Sequence, residues 1–175
     1  MVRLNWFQRF YWERLAKPAS DRELFRHLIS TPIASVLEIG IGAGDRMRRI
    51  AKLVRLPNES NQLRYIGVDS FESAVDGRVH LTLRQTHQLA LQLGFKATLM
   101  PGEISSTIPR VASKIGACDL VIVDGGIDPV NVVSGPIGPW VRHITHSSST
   151  IFGCAEPGGT LRRVSLSGMA SKSAA

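Results

Sequence analysis

The sequence predicts an α/β fold, a three-layer αβα sandwich on a mostly parallel sheet. Three observations predict it. Short apolar runs recur along the 175 residues, two of them closing on an aspartate, Asp69 and Asp124. The runs are continuous rather than alternating, as in strands covered on both faces. Segments with apolar residues at i, i+3, i+4 and i+7 separate them, so strands alternate with helices.

Residues 1–30 precede the sheet as a helical segment. Trp6, Phe7, Phe10, Tyr11 and Trp12 interleave with Arg3, Arg9 and Arg14 and suggest a short amphipathic helix. Ser20-Asp21-Arg22-Glu23 reads as a capping box for a second helix striped by Leu24, Phe25, Leu28 and Ile29. The two helices would cover the sheet edge or roof a cleft. A substrate lid, a dimer face, a membrane-surface contact and a base-stacking surface are the sharper readings.

Ser35–Ile39 is expected as the first strand and Arg46–Arg55 as the helix after it. Met47, Ile50, Ala51 and Val54 form that helix's apolar stripe. Arg46, Arg48, Arg49, Lys52, Arg55 and the later Arg64 read as a solvated basic face. Pro57-Asn58 opens a loop, and Arg64–Asp69 is the second strand. A helix follows within His80–Leu93 and stops at Gly94. Its stripe of Leu83, His87, Ala90 and Leu91 makes His87 a packed histidine. Phe95–Met100 is the third strand. Thr107–Ile115 is the next helix, capped by Ser106 and striped by Ile108, Val111, Ala112 and Ile115. The run Leu120–Val123, framed by Asp119 and Asp124, is a central strand. Pro129, Pro136 and Pro139 exclude a long helix from Ile127–Pro139, which reads as a substrate loop. His143 and His146 read as surface residues. Thr150–Cys154 is the fifth strand, with Leu161–Ser165 returning antiparallel; Thr160–Leu166 is an alternative fifth strand. The domain thus spans 31–166, shortened after strand five, and 167–175 is a flexible tail.

The chemistry-bearing motif is Glu38-Ile39-Gly40-Ile41-Gly42-Ala43-Gly44. Gly40, Gly42 and Gly44 let the backbone approach a ligand closely. Their spacing differs from the G-x-G-x-x-G of pyrophosphate binders. Asp69 ends the second strand, where a carboxylate can accept from two vicinal hydroxyls, and Ser70 follows it. Asp124 ends the central strand, at the edge where ligands bind in open α/β sheets.

The E-x-G-x-G-x-G pattern resembles the first motif of class I S-adenosylmethionine (SAM) dependent methyltransferases, whose fold is Rossmann-like. The resemblance covers roughly residues 33–155. It implies SAM as cofactor. The glycine turn and Glu38 would hold its cationic aminoacyl part, and Asp69 its ribose. Gly102 and Glu103 would pass its adenine, and Asp124 would face donor and acceptor as the candidate catalytic residue. The abbreviated C-terminus departs from the family's seven strands. It implies a homodimer that completes the acceptor side, or a degenerate enzyme.

Asp124-Gly125-Gly126-Ile127 lacks the Asn/Asp-Pro-Pro-aromatic motif of base-amine enzymes. Cys118 and Cys154 do not match a cytosine-5 nucleophile. Glu156 alone does not make the acidic pair that a metal-dependent relative needs, so no metal is expected. The expected activity is metal-independent transfer to an unidentified acceptor, with a small or sugar-like hydroxyl as the mildest choice. A non-catalytic SAM-binding protein and an RNA-binding methyltransferase are the alternatives; an NAD-dependent enzyme fits the glycine spacing poorly.

Composition agrees with one globular domain: 43% hydrophobic and 20% charged residues. The net charge of +7 raises the prospect of an anionic partner. No apolar run reaches membrane-spanning length, the first residues lack a signal core, and two cysteines suggest no disulfide framework. A cytoplasmic protein is expected.

Overall fold

The computed structural model describes residues 5–58, 62–74, 76–124 and 137–164. Six strands form one sheet in the order β3-β2-β1-β4-β5-β6. They are β1 (Ser35–Ile39), β2 (Arg64–Asp69), β3 (Lys96–Pro101), β4 (Leu120–Asp124), β5 (Thr150–Cys154) and β6 (Arg162–Val164). The first five are parallel, and β6 pairs antiparallel with β5. Strand residues project alternately to two faces, and each face buries a separate apolar cluster. Val36, Tyr65, Leu120, Ile122 and Phe152 join one cluster with α2 (Arg22–Ser30), α3 (Asp45–Leu53) and α4 (Leu83–Gln92). Leu37, Ile66, Val68, Val121 and Ile151 join the other with α5 (Ile104–Lys114) and α6 (Val141–Ile144). The expected three-layer sandwich is what forms.

The N-terminal segment belongs to the first cluster. Its first helix, α1 (Trp6–Phe10), starts at an Asn5/Gln8 capping box and runs on into one π-helical turn, Tyr11–Leu15. Trp12 packs edge-on against Phe25 of α2. The expected Ser20–Glu23 capping box does not form: Asp21 makes no cap bond and is buried instead.

Three further expectations are corrected. The helix between β2 and β3 buries Thr86, Leu89 and Ala90, so His87 and Leu91 are exposed. Thr82, in a capping box with Gln85, sets that phase. The next helix begins at Ile104 after Glu103, not at a Ser106 cap. Arg64 is no solvated helix residue; its guanidinium donates to the carbonyls of Ile115 (3.0 Å) and Ala117 (2.7 Å). Of the cysteines, Cys154 ends β5 and Cys118 precedes β4; both are buried. His143 and His146 are exposed. The expected substrate loop, through residue 136, and the expected tail, 167–175, lie outside the described residues. Among the described residues, no helix is long and apolar enough to cross a membrane.

Candidate functional site

From β1 the chain builds outward through β2 and β3, then returns to β4 on the other side of β1. A sheet that reverses its order opens a crevice at the C-terminal ends of the two strands flanking the reversal. Gly40 follows β1 and Asp124 ends β4 at that point. They are so close that a Cβ on Gly40 would lie 3.0 Å from Asp124 Cβ. With φ at +85° as well, Gly40 admits no side chain without strain.

Two cavities share this crevice, and Asp124 and Arg78 line both. One, of about 360 Å³, is lined by Gly40, Asp69, Ser70, Ala74, Gly102 and Glu103 among others. The other, of about 250 Å³, is lined by Asp21, Gly42, Arg46 and Arg49 among others. The fold therefore gathers Gly40, Gly42, Asp69, Ser70, Gly102, Glu103 and Asp124. Glu38 and Gly44 line neither cavity. At Gly44 the close neighbours are the chain's own: a Cβ would lie 2.8 Å from Leu89 Cδ2 and 2.9 Å from Leu81 Cδ1.

Asp69 is committed to the protein. Its Oδ2 accepts from the amides of Ile41 (2.6 Å) and Gly42 (2.9 Å), fastening the glycine turn to β2. Its Oδ1 accepts from the Phe71 amide at 2.7 Å and meets His80 Nδ1 at 3.1 Å. Four donors fill the roughly four lone-pair sites of a carboxylate. Phe71 holds φ at +49°, an outlier for a bulky residue. The Asp69 bond and burial of the ring keep it there.

Arg46 is the residue that sequence reasoning misplaced. Only 9% exposed, it lies among three acids from three parts of the chain. Nε is 3.4 Å from Asp21 Oδ2, and Nη1 is 3.5 Å from both Glu38 Oε1 and Asp124 Oδ2. All three contacts are longer than the 2.7–2.9 Å of a strong charge-assisted bond. Glu38 is fully buried, and its other oxygen accepts the Tyr65 hydroxyl at 2.7 Å. Burial raises its pKa to about 7, against the opposing pull of Arg46 and Tyr65. Burial also raises the Tyr65 hydroxyl, and the Glu38 charge adds to it. Burial lowers the Arg46 pKa, but Glu38, Asp21 and Asp124 more than offset this and hold it above the ordinary guanidinium value.

Asp124 is held from the C-terminal side. Its Oδ1 accepts from the Gly158 amide at 2.6 Å and lies 3.5 Å from Cys154 Sγ. Sequence reasoning also missed His80, whose Nε2 meets Asp76 Oδ1 at 2.9 Å, so its ring bridges two carboxylates. Tyr65 carried a usable signal: a hydroxyl in an apolar strand needs a buried partner. Asp21 carried none, because its sequence neighbourhood imitates a helix cap.

The chain was compared with solved structures. The O-methyltransferase TomG from Streptomyces achromogenes, solved with SAM, is similar at a TM-score of 0.55 and 13% identity. The match covers 81% of this chain and 56% of TomG. The chain shares the α/β fold of that enzyme. A putative O-methyltransferase from Klebsiella pneumoniae gives a TM-score of 0.48 at 15% identity, covering 86% of this chain and 56% of that one. A putative caffeoyl-CoA O-methyltransferase from Staphylococcus aureus gives 0.45 at 12%, covering 69% and 49%. The chain thus spans about half the length of the structures it matches. No protein-family model and no curated protein sequence matches it.

Proposed function

We propose that the crevice binds SAM and that the chain transfers the methyl group, without a metal, to a small-molecule or sugar-hydroxyl acceptor. The observation that carries this reading is the gathering of Gly40, Asp69, Ser70, Gly102, Glu103 and Asp124 around one cavity at the order reversal of a methyltransferase fold. The charge pattern supports it. The smaller cavity is lined by Asp21, Asp45 and Asp124 and by Arg46, Arg49 and Arg78, charges of both signs that suit the zwitterionic end of a sulfonium amino acid. Glu38 acts on that end through Arg46, from beneath the cleft. Gly102 and Glu103, at the tip of β3, are assigned to adenine. Ser70 and Asp69 are assigned to the ribose, Asp69 by exchanging its His80 contact for a hydroxyl.

Bound there, the cofactor supplies an activated methyl carbon. The chain's task is then to hold donor and acceptor in line and dry. Asp124 is assigned to the acceptor's proton. The Gly158 amide holds Oδ1, and Oδ2 has a 3.5 Å contact with Arg46, so Oδ2 keeps capacity to accept. Asp69, Glu38 and Asp124 already take donors from the protein, which supports chemistry without a metal in this crevice. The same commitments of Asp124 support a second reading, a protein that binds SAM without transferring its methyl group.

Calorimetric titration with SAM and S-adenosylhomocysteine tests the proposal, beside an Ala74→Trp variant. Ala74 lines the larger cavity and has no part in the Arg46 cluster. Binding that the tryptophan blocks supports the cofactor site. Absence of binding by the unaltered chain refutes it. Binding with no transfer to a panel of hydroxylated acceptors leaves the second reading.

A further inference from the structure

The helical turn nearest the start of the described chain presents an apolar face that no described residue covers. Trp6, Phe7, Phe10, Tyr11 and Leu15 are 71, 74, 47, 50 and 56% exposed. The whole run Trp6–Leu15 has no fully buried residue. Four aromatics on one short helix expose several hundred Å², at or beyond the largest patch of an ordinary monomer. Their rings pack on each other: Trp6 stacks on Phe10 at 6.0 Å between centroids and meets Phe7 edge-on at 4.8 Å. The helix is anchored from its other side, where Trp12 packs against Phe25. The exposed rings are therefore held outward by an attached helix.

The charges beside the patch are positive. Residues 1–30 carry Arg3, Arg9, Arg14, Lys17, Arg22 and Arg26 against Glu13, Asp21 and Glu23. Glu13 and Arg9 pair with each other at 2.7 Å and Asp21 faces Arg46, which leaves Arg14, Lys17, Arg22 and Arg26 against Glu23 among the described residues. Arg14 lies within the aromatic stretch, one helical turn from Phe10 and Tyr11, and is exposed. Aromatic rings with arginines among them suit the boundary between headgroups and acyl chains. There the rings enter the interface and the guanidinium groups meet lipid phosphates. A second copy of this chain would bring the same positive surplus to the contact.

We propose that this face docks on an anionic lipid surface, with Trp6, Phe7, Phe10 and Tyr11 entering the interface and Arg14, Lys17 and Arg26 pairing with acidic headgroups. The helix lies on the bilayer and does not cross it. Docking would bring the crevice, whose smaller cavity is lined by Pro18, Ser20 and Asp21 of the same segment, to the membrane surface.

The test is flotation of the full chain with vesicles of phosphatidylcholine alone or mixed with phosphatidylglycerol. The variant is Trp6→Ser/Phe7→Ser/Tyr11→Ser, three exposed positions whose change leaves the core untouched. The proposal expects flotation with the anionic vesicles only, and at least about a tenfold loss of partitioning in the variant. It expects loss also as salt shortens the Debye length below about 10 Å. Absence of flotation with anionic vesicles, or equal flotation of the variant, overturns it. Sedimentation of the chain as a dimer that the same substitutions dissociate also overturns it, because a second copy then covers the face.

Discussion

Glu38→Gln should remove a pH-dependent loss of stability. In the folded chain Glu38 is fully buried with a pKa of about 7, against 4.5 for an ordinary glutamate. The raised value means that the native state binds the proton more tightly than the unfolded chain. Stability from this group is therefore fully present below pH 4.5 and is lost as the pH rises through about 7. At about 1.36 kcal/mol per unit, linkage gives a loss on the order of 2–3 kcal/mol between about pH 5 and about pH 8. Glutamine keeps an oxygen for Tyr65 and Arg46 but has no proton to lose. Every other titrating group is common to both proteins and cancels to first order. Urea unfolding of both proteins at the two pH values measures the difference. The wild type should lose roughly 2–3 kcal/mol more than the variant over that interval. Equal losses would refute the placement of a neutral acid under the cleft at low pH.

Other consequences are as direct. Asp69→Asn replaces one acceptor oxygen by a donor amide that faces backbone N–H groups. Breaking charge-assisted bonds to the Ile41 and Gly42 amides should cost about 2–3 kcal/mol in chemical unfolding, and the loosened turn should weaken S-adenosylhomocysteine binding. Gly44→Ala forces a Cβ within 2.9 Å of Leu81 and Leu89 side-chain carbons at φ +76°, and should destabilise by about 1–3 kcal/mol. Arg46→Met should be more damaging, about 3–5 kcal/mol in the same assay at neutral pH, because three acids lose their shared cation.

What the sequence revealed follows from the range of the forces involved. The bounds of β1, β2 and β5 could be read to the residue, because a strand buried on both faces writes itself as a continuous apolar run. The phase of α4 could not. Leu83, Leu89, Leu91 and Leu93 permit more than one stripe, and the Thr82–Gln85 box chooses between them. Gly40, Asp69, Gly102 and Asp124 were legible as neighbours because parallel strands in this order bring their C-terminal tips together. The Arg46 cluster was not. Its partners come from the N-terminal segment, β1 and β4, and an arginine in a run of arginines looks solvated from sequence alone. Asp69 was found at its position, but its four donors include backbone amides and a histidine that no motif marks.

Amide hydrogen exchange with and without S-adenosylhomocysteine tests the central claim most directly. The account predicts slowed exchange in the segments 40–42, 69–71 and 102–104, the strand tips around the two cavities of the crevice. The separate groove between α4 and β3, lined by Leu83, His87 and Thr98, should be unchanged. Exchange that is unaltered at the strand tips, or slowed only in that groove, would contradict it.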